Sequence, residues 1–274
     1  MAQSYTMSDK KLLDILRQQE NLFSDPNVNS MGAFAQSELK TKAMRIDAAW
    51  KSFFLENPDH IEGLILYGKF LRKIGQSAKA YATFQKANSL DANIGVVKQQ
   101  LSAIEAEEGS VKEAFAHITQ AVNLEDENIV FLKQKAFVMV VGKKTLVGSG
   151  VISPSEYDEQ LLQCYRKISE STPNDRQAKI RYAQSFYDLF EPNWEKALSI
   201  WNEILASSTL NIERQSALAN KARVLVELGR DEEATQILKT IDIPSLMRPK
   251  NLLLREINAS KNRDLKSSLK SERK

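Results

Sequence analysis

The sequence is poor in the residues that punctuate sheets and in those that build covalent or metal frameworks. Of 274 residues, 10 are glycine and 7 proline, and glycine usually makes up about 7% of a chain. Sheet-rich folds spend both residues on tight turns, so their scarcity points to an all-helical chain. The single cysteine, Cys164, excludes an intramolecular disulfide and any Cys-rich zinc site, and reads as a small apolar core residue. Two histidines leave little material for a His-based triad or a His-rich metal centre. His60 follows Asn57-Pro58-Asp59 in an apparent interhelical turn, and His117 falls inside a helix. No apolar run reaches the roughly 20 residues that cross a bilayer. The longest, 136–142, is far shorter, and the N-terminus has no secretion signature, so the cytoplasm is the expected compartment.

What is present is ordinary for a folded protein: 42% hydrophobic and 27% charged residues. The net charge of +3 is uneven. Residues 261–274 hold six basic groups and two acidic ones, a tail charge of +4 that leaves −1 on the other 260 residues. Basicity is thus a property of the tail, whereas a dedicated nucleic-acid surface places it on the body.

The strongest pattern is a repeat of 34 residues. Without gaps, Gly75 matches Gly109, Ala80 matches Ala114, Ala87 matches Ala121 and Leu90 matches Leu124. Each unit reads as two helices. Leu64, Tyr67, Gly68 and Leu71 share one face of the first; Gly75 ends it and Ser77 caps the next, which carries Ala80, Phe84 and Ala87. Small residues let paired helices approach and large ones fill the space to the next pair.

This pattern resembles the tetratricopeptide repeat. Leu64, Tyr67, Gly68, Leu71, Ala80, Phe84, Ala87 and Ala92 stand where that motif has Trp, Leu, Gly, Tyr, Ala, Phe, Ala and Pro. The missing terminal proline is the one departure that is not conservative. The resemblance implies a right-handed α-solenoid of about six helical hairpins with a capping helix at each end, covering 27–247. Units fall near 27–60, 61–94, 95–128, 129–175, 176–211 and 212–247. The first is the most degenerate, and the fourth carries 13 extra residues, assigned to an inserted loop at 142–153. Residues 1–26 supply an N-terminal helix, expected to pack on the first unit, the alternative being a protruding partner-binding segment. Residues 248–260 suit a C-terminal cap, and 261–274 read as a basic, disordered tail. Capping boxes are expected at Asp59/Glu62, Ser110/Glu113 and Ser153/Glu156, with Pro154 opening its helix.

Nothing in the sequence indicates a reaction, a cofactor or a metal. The Gly142-Lys143-Lys144-Thr145…Gly148-Ser149-Gly150 stretch fails as a phosphate loop. Phe137 stands where its first glycine belongs, Lys144 where Ser or Thr belongs, and no strand precedes it. It reads as a flexible turn, the live alternative being a loop folded over a ligand. Glu105, Glu107 and Glu108 beside Lys112 read as a solvated helix face, Trp201 as core, and Trp194 as partly exposed.

In tetratricopeptide proteins the first helices line a concave groove. Carried over by alignment, the groove residues here are Glu62, Ile65, Lys69, Arg72, Lys73, Gln99, Ala103, Lys133, Phe137, Ile180, Gln184, Tyr187 and Arg223. This mixture suits a peptide or helix with acidic and apolar side chains. The carboxylate clamp of chaperone-binding members is absent: its positions hold Ile65, Lys69, Gln100, Val130 and Gln134. The expected function is a non-catalytic scaffold or adaptor for a protein or peptide. Two alternatives remain: a nucleic-acid or ribosome-associated protein acting through the tail and Lys69, Arg72 and Lys73, and a structural protein that self-assembles through its terminal helices. The serine and acid in the tail weigh against the first.

Overall fold

A computed structural model describes residues 6–24 and 33–271, with side chains described outside 33–36 and 263–271. Among the described residues there are thirteen α-helices and no strand. They are α1 (Met7–Phe23), α2 (Ala33–Glu56), α3 (Ile61–Lys73), α4 (Ser77–Leu90), α5 (Gly95–Glu107), α6 (Val111–Leu124) and α7 (Ile129–Gly148). Then come α8 (Pro154–Ser171), α9 (Arg176–Ser185), α10 (Trp194–Ala206), α11 (Asn211–Glu227), α12 (Asp231–Lys239) and α13 (Met247–Ser271). Short 3-10 turns lie at Phe186–Asp188 and Pro244–Leu246. The helices follow one another as antiparallel hairpins, as the repeat implies. The chain divides into two compact units between Val138 and Met139, inside α7.

The matched glycines end their helices by one device. Gly75 and Gly109 have φ of +76° and +83°, a region that costs an L side chain energy but not glycine. The next residue then closes back on the helix: Gln76 N–H to the Leu71 carbonyl and Ser110 N–H to the Glu105 carbonyl, each at 2.8 Å. Gly68 serves close packing instead. A Cβ there would sit 2.7 Å from the ring of Phe84, which is fully buried between α3 and α4. Full burial of such a ring contributes about 1.5–3 kcal/mol.

At the N-terminus the expected division is corrected. Residues 33–56 contain no glycine or proline and form one helix, not two. The first hairpin is therefore α1 with α2, and the N-terminal helix is a repeat helix rather than a separate cap. Leu12, Ile15 and Leu22 of α1 are buried, and Lys11 Nζ meets the Glu56 carboxylate at 2.6 Å. Residues 1–5 and 25–32 of the expected segments lie outside the described residues.

The inserted loop at 142–153 is also corrected. Most of the extra length is helix: α7 has 20 residues where α5 has 13, and α8 has 18 where α6 has 14. At about 3.6 residues per turn these additions are close to two turns and one turn, so each helix keeps its faces in register. Leu146, fully buried, holds the extension in place, which outweighs the helical cost of Gly142, about 1 kcal/mol. Gly150 then ends α7, with Val151 N–H on the Leu146 carbonyl at 3.0 Å.

Of the expected capping boxes only Ser153/Glu156 forms, with Pro154 in the first turn. Ser110 caps α6 without a side-chain bond. At α3 the cap is His60, whose Nδ1 accepts from Gly63 N–H at 3.0 Å, because the turn after Pro58 carries the chain one residue further than the Asp59 box requires. Gln76, not Ser77, precedes α4. At the other end α13 covers the last hairpin: Ile257 is buried and Lys250 Nζ donates to the Ile241 carbonyl at 2.7 Å. It runs on to Ser271, so most of the segment read as a disordered tail is helical; 261–271 has neither glycine nor proline to stop it. Residues 272–274 lie outside the described residues.

Candidate functional site

The predicted groove residues lie on first helices of successive hairpins, except Tyr187, which sits in the 3-10 turn after α9. In the first unit they separate into two groups. Glu62, Lys69 and Lys73 on α3 and Lys133 and Phe137 on α7 are exposed, and Ile65 is half-buried. Phe137 is 57% exposed and Val130, two turns before it on the same face, is 60% exposed. Arg72 and Gln99 are instead used internally. The Arg72 guanidinium donates to Gln100 Oε1 at 3.2 Å and bonds Glu107. Gln99 is buried and bonds Gln134, whose Nε2 donates to the Gln99 carbonyl at 3.1 Å and to Ser102 Oγ at 3.0 Å. These two residues therefore brace α5 between its neighbours, α3 and α7. Ala103 is half-buried.

In the second unit, Ile180 and Gln184 line a cleft of about 260 Å³ between α9 and α11, with Trp201, Ile212 and Asn220 among its other walls. The Arg176–Glu213 ion pair, at 2.8 Å, is part of that lining. Arg223 on α11 lies 3.7 Å from the Tyr187 ring centroid, and the Trp194 ring packs on the same tyrosine ring at a centroid distance of 4.9 Å. Burial pushes the Tyr187 hydroxyl well above its ordinary value, against the opposing charge of Arg223, so the phenol stays neutral.

The lysine- and glycine-rich stretch is committed to structure. Lys143 Nζ donates to the carbonyls of Asp188 and Leu189 at 2.7 and 3.2 Å and lies 3.9 Å from the Phe190 ring centroid. Asp158 accepts from Phe190 N–H at 2.9 Å and Glu191 N–H at 2.8 Å, so the turn before α10 is tied from two helices. A cationic side chain used this way offers nothing to a phosphate. Glu105, read as solvated, is buried: it accepts from the Tyr81 hydroxyl at 3.0 Å and lies 2.8 Å from His117 Nδ1. Cys164 and Trp201 are buried and Trp194 half-buried, as expected. Among the described residues no three His, Cys, Asp or Glu side chains gather to hold a metal ion, and no helix is long and apolar enough to cross a membrane.

Sequential hairpins, glycine-ended first helices and a 34-residue offset define one architecture, and solved structures share it. A chain of the Naa15/Naa10 complex bound to HypK-THB matches with a TM-score of 0.63 at 18% identity, over 94% of this chain and 35% of that one. YrrB, a TPR protein with an unusual peptide-binding site, matches at 0.58 and 18% identity, over 76% of this chain and 98% of its own. The chain has the tetratricopeptide-repeat fold. Pseudomonas aeruginosa PilF matches this repeat protein at 0.52 and 13% identity, over 93% of this chain and 100% of its own. This repeat protein therefore spans about a third of the Naa15/Naa10-complex chain it matches. No family model matches its sequence, and no curated protein sequence is significantly similar to it.

Sequence reasoning missed a second concavity in the repeat protein. Leu22 and Phe23 of α1, Leu39, Ala43 and Met44 of α2, and Ile74 after α3 line a cleft of about 630 Å³. Lys40, Lys51, Lys73 and Lys79 surround it, with Asp47 as the one acidic lining residue among the described residues. The available signal was the exposed apolar Met44 beside spaced lysines on α2, but its opposite wall comes from residues about thirty positions away.

Proposed function

We propose that this chain is a non-catalytic protein-binding scaffold whose first helices receive a peptide or helix. The observation that carries this reading is the exposure of Phe137 and Val130 on one face of α7 beside Lys133. A repeat helix leaves an aromatic and an aliphatic side chain in water at a cost in burial, and such patches mark interaction surfaces. The Ile180–Gln184 cleft and the Tyr187–Arg223 pair offer the same chemistry in the second unit: an apolar floor, amide groups and a cation. The fold shared with YrrB supports the ligand class, since YrrB is a TPR protein with a peptide-binding site.

The test is recovery of partners from source-cell lysate at low and high salt. The bait is the intact chain, and the control combines Lys69→Glu, Phe137→Ser and Arg223→Glu, all exposed positions. Arg72 stays untouched because its bonds to Gln100 and Glu107 are structural. A discrete protein kept at high salt by the wild type and lost by the variant is the expected result. Recovery of nucleic acid alone, lost steeply with salt, overturns it, as does recovery of nothing but the chain itself.

A further inference from the structure

The cleft between the first two hairpins has a chemistry of its own. Its floor is apolar: Phe23, Leu39, Ala43 and Ile74 are half-buried against the core, and Met44 is 64% exposed at its edge. Its rim is cationic. Asp47 is already engaged by Lys51 at 2.7 Å and by the Tyr67 hydroxyl at 2.6 Å. Burial alone would raise the Asp47 carboxyl, but those hydrogen bonds and the charges of Lys51 and Lys79 hold it below its ordinary value. Lys40, Lys73 and Lys79 are exposed; Lys79 acts on Asp47 through its charge, the close ion pair of Asp47 being with Lys51, and Lys73 lies 4.4 Å from the Phe23 ring centroid.

The distribution of charge selects the occupant. Leu39 to Lys51 run along one wall of the cleft, about 18 Å at 1.5 Å per residue, while Lys73 and Lys79 stand on the other elements. A single headgroup on an acyl chain would meet one end of such a cleft. Cations spaced along its length and on more than one element instead match a chain bearing several carboxylates. We propose that this cleft binds an acidic amphipathic peptide segment, its apolar side chains seated on Phe23, Leu39, Ala43 and Ile74 and its carboxylates paired with Lys40, Lys73 and Lys79. The site uses none of the α7, α9 and α11 residues of the proposed function, but it shares Lys73 of α3 with the predicted groove. It rests on that reading only for the class of ligand.

The test uses a fluorescent synthetic helical peptide with leucines along one face and glutamates along both edges, titrated into the full chain and followed by anisotropy. The wild type is expected to bind it, with affinity falling as salt rises. Lys40→Glu with Lys79→Glu, both exposed, should weaken binding at least about tenfold, and Ala43→Trp should fill the floor and do the same. Circular dichroism checks the fold, and the lysine variant keeps the test valid where Ala43→Trp fails to fold. Phe137→Ser with Arg223→Glu should leave peptide binding unchanged. Loss of binding in that variant instead moves the peptide to the first-helix surface, overturning this proposal and leaving the proposed function standing. No binding, binding indifferent to Lys40 and Lys79, or selective uptake of oleate in place of the peptide each overturns it as well.

Discussion

Hairpin α3–α4 buries Leu64, Tyr67, Gly68 and Leu71 along its first helix; 34 residues on, hairpin α5–α6 buries Lys98, Leu101, Ser102 and Glu105 at the same places. The two share their helix lengths and their glycine endings. The first is held by shape: Phe84 fills the space that Gly68 leaves, and Tyr67 packs against Trp50 and Phe54 at centroid distances of 5.7 Å. The second is held by partnered polar groups. Lys98 Nζ donates to Gln120 Oε1 at 2.6 Å and Asn88 Oδ1 at 3.3 Å, Glu105 joins Tyr81 and His117, and Ser102 accepts from Gln134. One backbone therefore tolerates either solution, provided the polar groups that α5 buries at these places find partners. Dispersion and burial are indifferent to direction, but a hydrogen-bond network admits one arrangement and so fixes which neighbours α5 takes.

Exchanging side chains between the two hairpins should break the comparison. Leu71→Glu places a carboxylate in a fully buried site lined for leucine, and should cost more than about 4 kcal/mol, enough to unfold the chain in a denaturant titration. The reciprocal Glu105→Leu should cost less, about 1–3 kcal/mol, mainly by orphaning the half-buried Tyr81 hydroxyl and His117 ring. Equal costs would show that the network adds nothing beyond volume.

Gly68→Ser copies the residue at Ser102 but drives a Cβ to within 2.7 Å of Phe84, at a cost of about 1–3 kcal/mol. Adding Phe84→Ile, which copies Ile118, should recover part of that loss, and a double-mutant cycle should show coupling of about 1 kcal/mol. Additive costs would mean that the glycine is not there for the ring.

Caps give a smaller contrast. Ser153→Ala removes a formed capping box and should cost about 1 kcal/mol, while Ser110→Ala, with no side-chain cap bond to lose, should stay within about 0.5 kcal/mol of wild type in thermal melts.

The least effect is acid dependence. The Asp47 carboxyl is held below its ordinary value of 3.8, so its contribution is complete above that pH and is lost as the pH falls below it. Asp47→Asn should therefore flatten the stability profile below about pH 4 relative to wild type, read by urea midpoints across that range. An unchanged slope would show that Tyr67 does not depend on this carboxylate.

The 34-residue offset, the glycine ends and the alternation of large and small residues were legible in the sequence because each is a local requirement of one hairpin. Helix existence followed from the same signals; Lys69, Lys133 and Phe137, which are exposed, were named only through the tetratricopeptide alignment. Boundaries failed where tertiary burial decided them: Leu146 carries α7 through Gly142, and α1 serves as a repeat helix because 33–56 has nothing to interrupt it. The role of a polar side chain was legible least of all. Arg72, Gln99, Glu105 and Lys143 look like surface residues in one dimension, yet each is bonded by a group at least twelve positions away. The same distance hid the lysine-rimmed cleft, whose walls come from four consecutive helices. Sequence by itself determined the repeat and the hairpins, since their rules act within a few turns of chain. Tertiary structure alone decided which charges are spent inside and which stay exposed, since a hydrogen bond or a cavity is made only when distant segments meet.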